Sequence, residues 1–124
     1  MRLRLFAVLP ILLAACGETP RPKPLPTPVA FAPVPGLERL IGKPATAATA
    51  LLGVPGLDRH DGPGRSLQFV GAGCILDVYF YPDPAAGQPT ARFAEARHAD
   101  GKPDETARCF TAQLAARLAA KGHG

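Results

Sequence analysis

The sequence predicts an α+β domain, with an antiparallel meander of strands and a helix laid on it. Three observations carry this prediction. Residues Cys74–Tyr81 alternate strictly, with Cys74, Leu76, Val78 and Phe80 facing one way and Ile75, Asp77, Tyr79 and Tyr81 the other. Near the end of the chain Ala107, Phe110, Leu114 and Leu118 share one side of a helical repeat. Ahead of the strands lie two short apolar segments with helical spacing and Gly/Pro stops. Runs of strands flanked by helices, without regular β–α alternation, belong to the α+β class.

In chain order, the folded part is expected to begin near Gly36. Leu37, Leu40 and Ile41 have helical spacing, and Gly42 with Pro44 ends that first short helix. Lys43 to Gly53 forms the second, with Ala45, Ala48, Leu51 and Leu52 as its apolar stripe and Thr46 as a candidate cap. Gly53-Val54-Pro55 stops it. Both helices are too short to stand on propensity and must be held by packing. Strands are expected at Leu57–Asp61, at Ser66–Val70 with Leu67 and Phe69 on one face, and at Cys74–Tyr81. Asp61-Gly62-Pro63-Gly64 and Gly71-Ala72-Gly73 supply the turns. Ala91–His98 is a fourth candidate, weakened by its alanines. The sheet thus has three to four strands. Pro103 then opens the long helix, with Asp104 and Glu105 in its first turn, Arg117 and Lys121 near its end, and Gly122 closing it.

The beginning of the chain divides differently. Arg2 and Arg4 precede an apolar run from Leu5 to Leu13, the pattern of a secretory signal and too short for a mature membrane span. Leu13-Ala14-Ala15-Cys16 resembles the lipobox of bacterial lipoproteins. That resemblance implies cleavage before Cys16, a lipid on its sulfur and usually an acyl chain on the new amine. Two or more acyl chains hold a protein stably on a membrane. The alternative is an ordinary signal peptide with a chance cysteine. The expected organisation is a signal peptide at 1–15, a lipidated Cys16 with a tether at 16–35, and a domain at 36–124. Seven prolines between Pro20 and Pro35 exclude helix and central strand from the tether. It serves as an extended spacer or, less simply, as a ligand for a proline-reading module.

Composition narrows the function classes. Two of the four net positive charges leave with Arg2 and Arg4, and the remaining basic residues are scattered, which argues against a nucleic-acid partner. With Cys16 lipidated, Cys74 and Cys109 remain as one possible disulfide in an oxidising compartment, or as two buried thiols. Asp58, His60 and Asp61 invite a metal reading, but no further ligands gather around them. Ser66, the single serine, lacks a nucleophile-elbow context, and neither Cys74 nor Cys109 has a histidine at a telling position. No catalytic residues, metal ligands or cofactor beyond the lipid on Cys16 are expected. Ile75, Tyr79 and Tyr81 instead form a candidate partner-binding face, unless the tether or a loop covers them.

The order of lipobox, Pro-rich tether, Leu-rich turn ending at Gly42, helix closing with Leu52-Gly53-Val54-Pro55, and hairpin strands resembles the SmpA/OmlA small outer-membrane lipoproteins (BamE-like). The likeness covers about residues 37–81. It implies a two-helix, three-strand α+β fold and an accessory role in outer-membrane β-barrel assembly, anchored in the inner leaflet and facing the periplasm. Leu67-Gln68-Phe69 stands where the family often has an aromatic pair with Trp, and the chain has no Trp, which marks a divergent member. The paired cysteines and the long last helix do not belong to the pattern. The expectation is a non-enzymatic binding protein of the envelope; the alternative is a periplasmic inhibitor or small-ligand-binding lipoprotein.

Overall fold

The computed structural model describes residue 17, residues 20–23 and residues 35–123. The expected signal peptide and Cys16 lie outside the described residues, as does most of the tether; Gly17 and residues 20–23 are exposed and irregular. The remainder is α+β. Helix α1 (Ala45–Leu52) precedes five strands, β1 (Leu57–Asp61), β2 (Gly64–Gly71), β3 (Cys74–Tyr81), β4 (Thr90–Arg97) and β5 (Pro103–Asp104), and α2 (Thr106–Lys121) follows them. The strands lie side by side in chain order, every neighbouring pair antiparallel.

The first short helix of the sequence reading is a single turn. The Leu37 carbonyl accepts from the amides of Leu40 and Ile41, both at 2.9 Å, and Gly42 at φ +78° breaks the spiral. The Gly42 amide donates to the Ala91 carbonyl and the Ala91 amide to the Lys43 carbonyl, so this segment is stitched to the outer edge of β4. Leu37 and Leu40 are thereby buried in the core. Pro44, not Thr46, stands at the N-cap of α1, and it offers no side-chain cap. At the other end Gly53 adopts φ +90°, and a Cβ there would meet the Arg117 guanidinium at 2.9 Å, so only glycine suits the position.

β3 forms as the alternation requires. Leu67 and Phe69 of β2 join Leu76, Val78 and Phe80 of β3 and Ala91, Ala94 and Ala96 of β4 on one buried face. Ala48 of α1 and Cys109 and Phe110 of α2 pack onto it. The β2–β3 turn places Ala72 at φ +50° and Gly73 at φ +76°, both left-handed, which suits the twist of a two-residue hairpin. Between β3 and β4 the register slips: Tyr79 pairs with Phe93, and Phe80 pairs with Ala91, leaving Arg92 over. This bulge lets Ala91, Ala94 and Ala96 face the same side despite their uneven spacing. Their small side chains suit a strand face on which a helix lies close.

The last helix starts later than Pro103 suggests. Pro103 and Asp104 pair with Arg97 and Ala96 as β5, and Glu105 becomes the N-cap. Its carboxylate accepts from the amides of Ala107 at 3.0 Å and Arg108 at 2.6 Å, filling two of the vacancies every helix start leaves. Cys109, Phe110 and Gln113 are buried, whereas Leu118 is 58% exposed: the helix runs past the sheet before its apolar stripe ends. Cys74 and Cys109 are joined in a disulfide with a Cα–Cα distance of 6.0 Å, tying β3 to α2. Beside it the Gln113 amide donates to the carbonyls of Phe69 at 3.0 Å and Cys74 at 3.2 Å. No helix among the described residues is long and apolar enough to cross a membrane.

Candidate functional site

Both helices pack on one face of the sheet; the other face is open among the described residues. Register places its side chains in cross-strand rows. Val70, Ile75 and Arg97 form one row; Leu57, Gln68, Asp77 and Glu95 the next; Arg59, Ser66, Tyr79 and Phe93 a third. Beyond the third, Asp61 stands opposite Gly64, whose missing side chain leaves room for the Tyr81 ring, 3.0 Å from where a Cβ would sit. Ile75, Tyr79 and Tyr81 therefore share the open face, as the alternation indicates.

Six large apolar side chains are exposed among the described residues, and four of them, Leu57, Val70, Tyr81 and Phe93, are on this face. Val70 is 68% exposed and Phe93 54%. Ile75 and Tyr79 are half-buried between them. The Tyr79 and Phe93 rings stand 5.8 Å apart at a 31° tilt, within the range of a favourable aromatic pair.

A polar lattice runs through this apolar ground. Asp77 accepts from Gln68 Nε2 at 2.9 Å and from Arg97 Nε at 3.2 Å, and is buried by these neighbours. The Tyr79 hydroxyl donates to Glu95 at 2.8 Å. Burial foremost, and then the bond to the Glu95 carboxylate, push the Tyr79 phenol up to about 12. These bonds fix the polar groups to one another and leave the ring faces and aliphatic tips for contact. At the β1–β2 end the face dips into a trough of about 170 Å³, with Gly64, Arg65 and Ser66 of β2 at its floor, Arg59 and Asp61 along one wall and Tyr79 and Tyr81 along the other.

The other polar clusters are structural. Asp58 accepts from Arg65 Nε and Nη2 at 2.9 and 2.8 Å, a paired bond that holds its carboxyl below the ordinary carboxylate range. His60 Nδ1 lies 3.9 Å from the same carboxylate. Asp83 is held low by the Thr90 hydroxyl foremost, with Arg92 3.4 Å away, in the loop after β3. Asp104 is engaged by Arg108 and lies 3.7 Å from His98 Nδ1. His123 Nδ1 lies 2.7 Å from the Ala119 carbonyl, close against the end of α2. No group of three or more His, Cys, Asp or Glu among the described residues could hold a metal ion.

Leu57, Val70 and Phe93 were not among the residues the sequence singled out. Alternation around Leu67 and Phe69 already puts Val70 opposite the core, so that signal was present. Phe93 was hidden by the bulge. No protein family, curated protein or solved structure matches the chain.

Proposed function

We propose that this chain is a lipid-anchored envelope protein that works by binding another protein through the open face of its sheet. The observation that carries the reading is the gathering of four exposed large apolar residues, two of them aromatic, on that one face. The lipobox-like Leu13–Cys16 supports attachment through Cys16, and the proline-rich tether supports a domain held off the membrane. Gly17 after Cys16, in place of Asp, favours the inner leaflet of the outer membrane and a domain facing the periplasm. The likeness to the SmpA/OmlA lipoproteins makes an accessory role in β-barrel assembly the leading candidate, with barrel-assembly components as partners. This is a binding role and not a catalytic one.

The test is site-specific photocrosslinking of the full-length protein in its own membranes. Probes at Val70, Tyr81 and Phe93 are expected to capture one common partner, and a probe at Thr111, exposed on α2, is not. Tyr79→Ala with Tyr81→Ala is expected to preserve the circular dichroism spectrum and weaken capture. Capture from Thr111 alone, or equal capture by the double variant, would remove the open face from consideration. A second reading, a periplasmic inhibitor or small-ligand-binding lipoprotein, is favoured by the trough beside Tyr81. Recovery of a soluble hydrolase would move the inhibitor form of it forward.

A further inference from the structure

The trough at the β1–β2 end of the open face has a chemistry of its own. Its floor is low because β2 presents Gly64 and Ser66 there, between the long side chains of β1 and β3. One wall offers the aromatic surfaces of Tyr79 and Tyr81. The other carries Arg59 and Asp61, two residues apart and therefore on the same side of β1. Among the described residues, the side chains of Arg59, Asp61, Ser66 and Tyr81 make no hydrogen bond or ion pair with the protein. That contrasts with the polar groups alongside: Asp77, Glu95 and Arg97 are bonded within the lattice, and Arg65 is paired with Asp58.

These groups select a ligand class. Arg65 also lines the trough, but its charge is taken up by the paired bond to Asp58; that leaves one guanidinium, Arg59, and one carboxylate, Asp61, so a strongly anionic or cationic ligand gains from one and is repelled by the other. A neutral molecule with several hydroxyls can accept from Arg59, donate to Asp61 and do both with Ser66 and the Tyr81 hydroxyl. The aromatic wall suits the C–H face of a ring, whose hydrogens carry slight positive charge toward the negative face of an arene. A volume of about 170 Å³ falls below the roughly 300–1,000 Å³ of drug-sized sites. It therefore suits one ring and not an enclosed chain.

We propose that this trough binds a neutral pyranose ring, either a free sugar or one residue of a glycan. The proposal gives a ligand to the small-ligand reading and uses residues, Arg59, Asp61 and Ser66, that protein docking around Val70 and Phe93 does not need.

The molecule carries its own reporter, since its two tyrosines both line the trough and it has no tryptophan. The full-length protein, in a zwitterionic detergent free of sugar, is titrated with methyl β-glucoside, methyl β-galactoside, methyl α-mannoside and the methyl β-glycoside of N-acetylglucosamine. Sorbitol serves as the acyclic control and methyl β-glucuronide, with its carboxylate free, as the charged one. A saturable change in tyrosine fluorescence is expected with at least one neutral pyranoside and not with sorbitol. Arg59→Ala and Asp61→Ala, both on an exposed edge strand, should each weaken it at least tenfold with the circular dichroism unchanged. No response across the panel, tighter binding of the glucuronide, or binding indifferent to both substitutions would overturn the proposal. Crosslinking from Phe93, set beside saccharide binding by the unsubstituted protein, separates the readings. If it persists while saccharide binding is absent, only the sugar site fails; if it is absent while saccharide binding is present, only the docking face fails.

Discussion

Tyr79 joins three of the strands of the open face: it pairs with Ser66 and Phe93 across β2 and β4, meets the Phe93 ring at a tilt and donates to Glu95. Its phenol ionises at about 12, against 10.0 for a free phenol, because burial and the neighbouring carboxylate both oppose a phenolate. The folded state therefore holds this proton more tightly than the unfolded chain. Its contribution to stability is whole below pH 10 and is lost as pH rises from 10 toward 12. Ultraviolet titration of the phenolates should show one component at about 12. Glu95→Gln should draw that component down; a component left in place would mean that burial alone holds it. The faces of Tyr79, Tyr81 and Ile75 were legible from the two-residue alternation of a single strand. That of Phe93 was not, because Arg92 is an extra residue in β4 and alternation counted from Ala91 has the wrong sign after it. A bulge is set by pairing with a neighbouring strand, which a one-strand pattern does not contain.

Among the elements, α2 depends most on what lies outside it. Its stripe of Ala107, Phe110, Leu114 and Leu118 showed in the sequence, and so did its packing on the sheet. Two features did not. Pro103 and Asp104 look like a helix opening but are used as a fifth strand, since β4 leaves an edge at Ala96 and Arg97 for them to pair with. Gln113 is a polar residue whose place in the core nothing in the apolar stripe announces. It is buried at the end of the β2–β3 hairpin, where its amide donates to the Phe69 and Cys74 carbonyls. The disulfide of Cys74 to Cys109, 35 residues apart, then pins the helix at the same spot. Replacing both cysteines by serine should cost about 2–4 kcal/mol, measured as a lower urea midpoint in the full-length protein. An unchanged midpoint would mean that Phe110 and Gln113 hold the helix without the bond.

At the scale of the whole molecule, the α+β class and the C-terminal helix were readable because each rests on a local repeat. The strand count was less so, because β5 has two residues and β4 is rich in alanine. In the proposed function, how the domain meets its surroundings turns on Cys16. Cys16→Ser should move the protein from the membrane pellet to the soluble fraction, and the mass of the wild-type protein should exceed that of its processed chain by the attached acyl groups. A wild-type protein of unmodified mass would make Leu13–Cys16 an ordinary cleavage site.

The spatial order of the strands has a consequence for how the molecule is made. Because every strand lies beside the one synthesised before it, the sheet can grow as the chain emerges, without waiting for a distant segment. The C-terminal helix comes last and brings Cys109 to a hairpin already in place. Until then Cys74 has no later cysteine to meet, and an acylated Cys16 has no thiol to offer. With Cys16 acylated as proposed, that order leaves three cysteines a single intramolecular oxidation product, and no isomerase is needed to sort the pairing.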